Sequence, residues 1–521
     1  MIPNNDMASP EQRTTLLRYD FKWDRWRGLS ANAFSFPVMC VFLLCAVIFA
    51  FCVKQFAEPD IWWHLLNASH IFQYHTIPTL DTYSFTAAGL PRIDFEWLSQ
   101  LVFYLGFKTA GLQGILAIYS LVLAAIYIGV YYRSCRAGSD VKDATIATLG
   151  AIFLGVVSIG PRMLLFGWLC MMGLLLALDR FQRAGKGLWV IPPLFAVWAN
   201  LHGSWVFGLV VLGLTIAAGL LTGEWGSVYA QRWSPGQLKR LLIVLAASLL
   251  ALFVNPIGYR LVLYPFDLLL HQPGNMQIVE EWRSVDFGNG NGKLVLITVF
   301  LLLSAAWFSN RRWKLDQVLL TAFALWAGLS HVRLLFFLGL IATPILAPSL
   351  RLFPPYERRL DKPWLNAAII ALIVAGLIIF FPSKVQLQQR VDASYPRAAL
   401  EFLKGQHLHG RVFNEYIWGG YMEWSAPDLK PFIDGRADIF ANQGILGDHY
   451  KAITINNSFE ILDKYKVDYV LVARHAPLEY LLEHSPEWSS IYADDLAAVF
   501  GRGQRDPRIA AQSRLQQEQR R

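Results

Sequence analysis

The residues best placed to do chemistry follow the first apolar run, in the segment Glu58-Pro59-Asp60-Ile61-Trp62-Trp63-His64. A chain leaving a bilayer would meet water at this point, and acidic, aromatic and imidazole groups are costly to place there. Carboxylates and imidazoles are common general bases and acids, so such a segment is suited to a polar substrate. We therefore predict that Asp60 is functional and acts at the lipid boundary.

Further polar residues occur at the ends of apolar runs, all on one side of the membrane if the runs alternate in direction. One-sided placement from six segments is hard to explain by helix packing alone, and it predicts a single outward-facing cavity. Its predicted members are Asp60, His64, Arg162, Asn200, His202, Arg260, Glu280, Glu281, His331 and Arg333.

Several of these residues also have a purely structural interpretation. An arginine at a helix end, such as Arg162 or Arg333, can extend its side chain to lipid headgroups. His202 can cap a tight helical hairpin, and the adjacent Glu280 and Glu281 can be a solvated loop pair. The sequence alone leaves these alternatives open.

Two other acidic motifs favour turns over sites. Asp81, in Leu80-Asp81-Thr82-Tyr83-Ser84, is typical of a turn or a helix cap. Asp434-Gly435-Arg436 follows a predicted strand, where a turn is expected. We therefore predict no catalytic role for either motif.

Composition places these residues in a polytopic membrane protein. The chain has 521 residues, of which 55% are hydrophobic, 14% aromatic and only 16% charged, and its mean hydropathy is +0.37. The net charge of +8 does not indicate nucleic-acid binding, because the basic residues are spread over short loops between apolar runs. The five cysteines imply neither a disulfide framework nor a thiolate metal site.

Apolar runs of spanning or nearly spanning length predict about eleven transmembrane helices. Lysine and arginine fall mainly on one side of the alternating runs, which predicts a cytoplasmic N-terminus and an outer C-terminal domain. The runs are at about 36–54, 112–132, 144–160, 163–179, 187–200, 204–222, 241–254, 293–308, 315–330, 333–349 and 365–381.

The predicted organisation has four parts. Residues 1–35 form a cytoplasmic segment, and residues 36–384 form a transmembrane domain with long outer loops at 55–111 and 255–292. Within the first loop, Phe95 to Phe107 is amphipathic enough to lie along the interface. Residues 385–503 form an extracytoplasmic α/β domain, and residues 504–521 form a disordered tail.

The secondary structure of the α/β domain follows from its alternating pattern. We predict helices at Tyr395–Lys404 and Phe459–Tyr465, because their apolar residues recur at helical spacing. Short apolar runs predict strands, with no P-loop or GxGxxG motif to suggest a nucleotide. The predicted strands are Arg411–Asn414, Pro431–Ile433, Val467–Ala473 and Ala497–Gly501.

These features resemble the GT-C superfamily of integral-membrane glycosyltransferases. The Glu58–His64 segment early in a long first outer loop, the many spans and the soluble outer domain carry the resemblance. Four further segments are similar to a bacterial group of uncharacterised GT-C-like proteins, so the resemblance covers nearly the whole chain. They are Asp81-Thr82-Tyr83-Ser84-Phe85, Trp198-Ala199-Asn200-Leu201-His202-Gly203, Asn255-Pro256-Ile257-Gly258 and Phe432-Ile433-Asp434-Gly435-Arg436.

The resemblance implies inverting transfer of a sugar from a polyprenyl-phosphate donor to a glycan, lipid or protein acceptor, outside the bacterial inner membrane. In that family an acidic residue of the first outer loop serves the acceptor or a metal, and Asp60 matches it by position. Here Asp60 belongs to Glu-Pro-Asp, rather than to the adjacent acidic pair or Asp-x-Asp of better-known members. A divalent cation, Mg²⁺ or Mn²⁺, held by Asp60 and Glu280 is therefore one open possibility.

The chemistry of such a transfer assigns a role to each predicted site residue. Asp60 is the expected base for the acceptor hydroxyl, with Glu58 or Glu280 assisting directly or through a divalent ion. Trp63 can stack on a sugar or anchor the loop at the interface. The other predicted substrate-binding residues hold or donate to the departing phosphate or line its surroundings: His64, Arg162, His202, Arg260, Glu281, His331 and Arg333.

Two other classes of protein fit parts of the sequence. A transporter or flippase would also have many spans and a polar cavity, but it would place that cavity at the bilayer midplane. A non-catalytic envelope assembly factor could bind a partner through exposed aromatic residues of the outer domain, such as Trp418 and Trp424. The acidic first loop would then have no purpose, which favours the enzyme.

Overall fold

The computed structural model describes residues 32–271 and 280–503. The predicted N-terminal segment 1–35 lies almost entirely outside the described residues, as do residues 272–279 of the second long loop and the predicted tail 504–521. The described chain is mainly helical, and its C-terminal region contains a five-stranded sheet.

Helices occupy every predicted apolar run. Eleven of the helices found in residues 32–271 and 280–384 coincide with the runs, while α2, α3 and α10 belong to the two long loops. In chain order they are α1 Phe36–Lys54, α2 Ile61–Tyr74, α3 Trp97–Ala110, α4 Leu112–Arg136, α5 Val141–Gly155, α6 Leu164–Ala184, α7 Ile191–Leu201, α8 Trp205–Ala218, α9 Pro235–Ala251, α10 Tyr259–His271, α11 Gly290–Phe308, α12 Leu315–Ser330, α13 Val332–Ser349 and α14 Pro363–Ile379.

Fewer of the described helices are long enough to cross a membrane than there are predicted apolar runs. Within the described residues, five helices are long and apolar enough to cross a bilayer: α1, α4, α6, α11 and α13. A sixth is possible if α14 and the next helix, α15 Lys384–Asp392, form one span despite a bend of 62°. The eleven spans thus stay a prediction, because polar breaks shorten several runs; α7, for example, ends where His202 takes an extended backbone.

The core of the helical region is built from aromatic side chains. Trp168 of α6 is buried between Phe336 and Phe337 of α13, with its ring stacked 5.4 Å from that of Phe337. α13 accommodates this contact through an irregular backbone with a π-helical segment, Leu338–Ala342. Such large apolar surfaces stabilise the helix packing that holds the loops in place.

The first long loop is itself helical. The predicted amphipathic stretch is confirmed as α3, whereas α2 was not predicted. α3 turns into α4 through Gly111, which has a positive φ of 62°, and the two helices meet at Gly106 and Gly114. A Cβ on Gly114 would overlap the backbone of Gly106, so only glycine allows this close approach.

Three short strands form a small sheet elsewhere in the helical region. They are β1 Gly223–Trp225, β2 Val228–Ala230 and β3 Trp313–Lys314. β1 pairs with β2 in antiparallel fashion, and β2 pairs with β3 in parallel fashion. The sheet connects the α8–α9 loop to the start of α12.

The C-terminal region is an α/β unit around a five-stranded sheet of order β5-β4-β6-β8-β7. β4 pairs in parallel with β5 and β6, and the other pairs are antiparallel. Its strands are β4 Gly410–Asn414, β5 Leu429–Pro431, β6 Tyr469–Ala473, β7 Trp488–Ala493 and β8 Ala497–Arg502. Its helices after α15 are α16 Arg397–Gly405, α17 Gly419–Ser425, α18 Ala437–Ala441, α19 Ile445–Ile453, α20 Ser458–Lys464 and α21 Pro477–Glu483.

Most predicted elements of this unit are confirmed, as α16, α20, β4, β6 and β8. The predicted strand Pro431–Ile433 is displaced toward the N-terminus, since β5 ends at Pro431. The sequence did not predict β7 or the short helices α17, α18, α19 and α21. These additions matter for the site, because α17 and the turn before α18 contact the first long loop.

Candidate functional site

Asp60 lies directly before α2 and is half-buried. The Nε1 of Trp63, one turn into the helix, donates to Asp60 Oδ1 at 3.3 Å. On the other side lies Gly435, in the turn between β5 and α18, where a Cβ would overlap Asp60 Oδ1. The carboxylate is thus held between its own helix and a glycine of the C-terminal unit.

Arg162 and Glu281, from two other segments, act electrostatically on this carboxylate, and Arg333 is connected to it through Glu281. Arg162, between α5 and α6, places its Nε 2.8 Å from Glu58 Oε2 and its Nη1 2.5 Å from Glu281 Oε1. Arg333, at the start of α13, lies 3.9 Å from the second oxygen of Glu281. Together, Glu58, Asp60, Arg162, Glu281 and Arg333 are called the Asp60 cluster below.

Arg162 and Arg333 differ in how closely their guanidinium groups contact carboxylates of the protein. Arg162 bridges two carboxylates and is mostly buried, and these charges raise its pKa despite burial. Arg333 is more exposed, makes one long contact with Glu281 and stacks over Trp282 at 5.5 Å. Arg333 therefore has more hydrogen-bonding capacity left for a ligand.

The electrostatic setting of Asp60 suits a base near neutral pH. Burial and then the negative charge of Glu58 raise the pKa of Asp60 to about 7, against the opposing effect of Arg162. Glu281 shows the opposite balance: burial alone would raise its pKa, but Arg162 and Arg333 lower it. The cluster thus holds one carboxyl group that titrates near pH 7 beside one that stays ionised.

Glu96 is the centre of a second polar group, directly before α3. It accepts from His202 Nε2 at 3.2 Å and lies 3.7 Å from His64 Nε2. His202 Nδ1 accepts from the backbone of Ser204 at 2.9 Å, so the proton of this imidazole is on Nε2. Burial would raise the pKa of Glu96, but the hydrogen bond from His202 is among the influences that lower it.

The predicted histidines therefore differ from what the sequence suggested. Both ring nitrogens of His202 are engaged within the protein, which leaves none for a phosphate. Burial lowers the pKa of His64 to about 3, so this ring is neutral. His331 directs Nδ1 at the Trp282 carbonyl at 2.7 Å, so its Nε2 can donate only from an imidazolium.

Arg260 and Trp63 also depart from the prediction. Arg260 lines a separate cavity of about 810 Å³, whose lining does not include Asp60. Arg260 follows a turn in which Asn255 Oδ1 accepts from the backbone of Ile257 and Gly258. Trp63 is buried, hydrogen-bonded to Asp60 and stacked 3.5 Å from the ring of His64. Its ring is therefore neither a free sugar platform nor an interface anchor, and Arg260 lies in a cavity whose lining includes no other predicted site residue.

The residues do not form a metal site in the part of the chain that is described. No group of three or more histidine, cysteine or acidic side chains there could hold a metal ion. Glu58 is already paired with Arg162, and the side chain of Glu280 is outside the described residues. We therefore derive no step of the chemistry through a divalent cation.

A buried ion cluster beside the site was missed at the sequence level. Arg436 contacts Asp81 at 2.6 Å, Glu423 at 3.2 Å and Asp434. Burial, and then the charge of Asp434, raises the pKa of Glu423 well above its ordinary value. Asp81, Glu423, Asp434 and Arg436 are called the Arg436 cluster below. Asp81 also accepts hydrogen bonds from the backbone and the hydroxyl of Ser84, as expected for a turn. The same carboxylate therefore stabilises the turn and pairs with Arg436.

Both motifs that form this cluster are visible in the sequence, but their contact is not. Asp81 lies in the first long loop and Asp434-Gly435-Arg436 in the C-terminal unit, far apart in the chain. Each alone is typical of a turn, and nothing in one sequence indicates that they meet. Their contact places Gly435 against Asp60.

Comparisons with known proteins give limited results. No model of a known protein family matches the chain, and no curated protein sequence matches it. The apo crystal structure of the Archaeoglobus fulgidus oligosaccharyltransferase aligns with 83% of this chain and 69% of its own at 12% identity, with a TM-score of 0.49. Archaeal oligosaccharyltransferase AglB from Archaeoglobus fulgidus, in complex with an inhibitory peptide and a dolichol-phosphate, aligns with 89% and 74% at 11% identity and a TM-score of 0.49. Similarities of this size carry no assignment of family or activity.

Proposed function

We propose that the protein is a membrane glycosyltransferase that transfers a sugar from a polyprenyl-phosphate donor to an extracytoplasmic acceptor, with inversion. The observation that carries this proposal is the Asp60 cluster, in which a carboxyl group titrating near pH 7 lies among arginines beside apolar helices. Proton removal and stabilisation of a departing phosphate are the two needs of such a transfer. The GT-C resemblance of the motifs supports the same class of reaction.

The proposed step uses Asp60 as the general base. Asp60 takes the proton of the acceptor hydroxyl while that oxygen forms a bond to the anomeric carbon of the donor sugar. The bond between the anomeric carbon and the phosphate oxygen breaks, and the electron pair leaves with the polyprenyl phosphate. Attack opposite the leaving group inverts the configuration.

The two arginines have different parts in this step. Among the described residues Arg333 makes only a long carboxylate contact, with Glu281, and its planar guanidinium can give the departing phosphate two hydrogen bonds at once. Arg162 instead holds Glu58 and Glu281 in place, so it is a positioning residue. His331 can assist from Nε2 when it is protonated.

The alternatives are weaker on the observed geometry. A transporter would place its polar groups around a cavity at the bilayer midplane, whereas the 810 Å³ cavity is lined by residues of the two long loops and the helices within them. An assembly factor that uses Trp418 is disfavoured, because Trp418 is buried and donates to the Ser394 carbonyl.

The proposal is tested by following a radiolabelled polyprenyl-phosphate sugar with the purified full-length protein and total lipid and glycan extract as acceptor. We expect label to move from the donor to an acceptor and free polyprenyl phosphate to accumulate. In sealed proteoliposomes, movement of intact labelled donor across the bilayer without loss of its sugar would instead indicate a flippase. If a range of donors shows neither sugar transfer nor movement of the donor across the bilayer, both the transferase and the flippase are contradicted.

A further inference from the structure

The cavity at Arg260 is separate from the Asp60 cluster. It is formed by the end of α2 and the segment after it, by Arg92 and Asp94 before α3, and by the turn that starts α10. Ile71 of its wall lies eleven residues after Asp60, and α2 rises about 1.5 Å per residue, so roughly 16 Å separate the two along the helix. None of the residues of the Asp60 cluster belongs to the lining of this cavity.

Arg92 makes this cavity a candidate anion site. Its side chain is 92% buried (8% exposed), and its Nη1 has no hydrogen-bond partner among the described residues. Its nearest aromatic partner is Tyr83, with the guanidinium 5.6 Å from the ring centre. A buried cationic donor without an acceptor is costly, so an anionic ligand at this place would stabilise it.

Two further features favour an anion over a cation. Arg260, which also lines the cavity, is exposed and adds a second guanidinium to it. The one acidic side chain of the lining, Asp94, accepts from the Asn67 and Gln100 amides and from the backbone of Glu96. Its charge is offset by these donors and by Arg92, so the two arginines leave the lining with one excess positive charge.

The remaining walls indicate that the ligand also has an apolar part. Ile71, Leu101 and Ile257 line the cavity beside the arginines. Phe72, another residue of the lining, is 41% exposed, as expected for a side chain that meets lipid. A charged pocket with an apolar, lipid-facing edge fits an amphipathic anion rather than a soluble one.

We propose that the cavity between Arg92 and Arg260 is a binding site for the phosphate of a lipid, distinct from the site of sugar transfer. The phosphate lies between the two guanidinium groups, and the lipid chain leaves along the apolar wall into the bilayer. An isoprenyl phosphate and an ordinary acidic phospholipid share this chemistry. The site does not depend on the role of Asp60.

The test measures binding of radiolabelled farnesyl phosphate to the purified full-length protein in detergent, in an Arg333→Gln background, because the proposed transfer site would also bind this phosphate. Saturable binding is expected in that background, with at least tenfold weaker affinity when Arg260→Gln or Arg92→Gln is added. Arg390→Gln, which removes one positive charge beside the Val53 carbonyl of α1, is the matched control and should bind like the Arg333→Gln background. Because Arg260 is exposed, its variant tests the site even if Arg92→Gln fails to fold.

Competition experiments identify the ligand. If phosphatidylglycerol at the same concentration displaces farnesyl phosphate, the site binds ordinary acidic lipids. If it does not, the site prefers isoprenyl phosphates. Both results support a lipid-phosphate site. Equal affinity for farnesol, equal competition by inorganic phosphate, or unchanged binding in Arg260→Gln would overturn the proposal. Asp60→Asn should leave farnesyl phosphate binding unchanged, which separates this proposal from the proposed transfer reaction.

Discussion

At the scale of single residues, Asp60 is distinguished by its neighbours rather than by its type. Burial and the charge of Glu58 hold its pKa near 7, whereas an exposed aspartate would be ionised at any physiological pH. A base is most effective when its pKa is close to the working pH. The pH dependence of transfer is therefore a direct consequence of this environment.

We predict that kcat/KM for transfer rises with pH and levels off above about pH 7, because only ionised Asp60 can accept a proton. In Glu58→Gln, one negative charge that raises the Asp60 pKa is removed and Arg162 becomes freer to stabilise the carboxylate. The rise should therefore move to lower pH. Rates measured from pH 5 to pH 9 check this, and an unmoved profile in Glu58→Gln would show that another group titrates.

The two arginines of the Asp60 cluster should respond differently to removal. Arg333→Gln is expected to lower kcat by about 10²-fold, the usual effect of losing one donor to a developing charge, with little change in melting temperature. Arg162→Gln leaves Glu58 and Glu281 without their shared cation and should cost up to about 3 kcal/mol in stability. Thermal unfolding in detergent and initial rates separate the two effects. Equal loss of stability in both variants would contradict the assigned roles.

At the scale of elements, the site depends on the packing of the β5–α18 turn against the start of α2. Gly435 lies so close to Asp60 that a side chain would displace the carboxylate. Neither segment alone forms the site. The turn thus fixes where the base lies.

Gly435→Ala should therefore reduce transfer by an order of magnitude or more while the helices stay intact. Gly447→Ala is the matched control, because it lies in α19 with no atom within 4 Å of the added Cβ. Alanine there should be neutral or slightly stabilising. Transfer rates and circular dichroism of both variants check this, and full activity in Gly435→Ala would show that the turn does not position Asp60.

The elements themselves were largely predictable, and their contacts were not. Apolar periodicity located the membrane helices, and α1 and α12 begin and end where their runs do. It could not locate α2, whose mixture of tryptophan, histidine and asparagine has no clear apolar face in one sequence. Arg260 was grouped with Arg162 because both follow apolar runs, but in the folded chain Arg260 lines a cavity to which Arg162 does not contribute.

At the scale of the whole molecule, the Arg436 cluster joins the first long loop to the C-terminal unit. Arg436 has three carboxyl partners, of which Asp81 comes from the loop and the others from the C-terminal unit. Buried charges of this kind are stable only as a complete set. The cluster therefore couples the placement of the loop, and with it Asp60, to folding of the C-terminal unit.

Arg436→Met should destabilise the protein by about 3 to 5 kcal/mol, because it leaves buried carboxylates without their cation. It should also make the region between α14 and α16 more sensitive to protease, as the C-terminal unit loses its attachment. Arg397→Met removes two exposed pairs, with Asp392 and Glu401, and should change stability by less than about 1 kcal/mol. An unchanged melting temperature and an unchanged rate of proteolysis in Arg436→Met would show that the cluster does not hold the C-terminal unit against the first long loop.

The central claim, that Asp60 is the base for sugar transfer, is tested most directly by the initial rate of transfer in Asp60→Asn. The amide cannot take a proton but keeps the shape of the side chain, so we predict a rate 10²- to 10⁴-fold below the unmodified protein, about the usual contribution of a general base, with an unchanged melting temperature. Asp495→Asn, an exposed acid of the C-terminal unit, should keep the full rate. A rate for Asp60→Asn within about threefold of the unmodified protein would contradict the account.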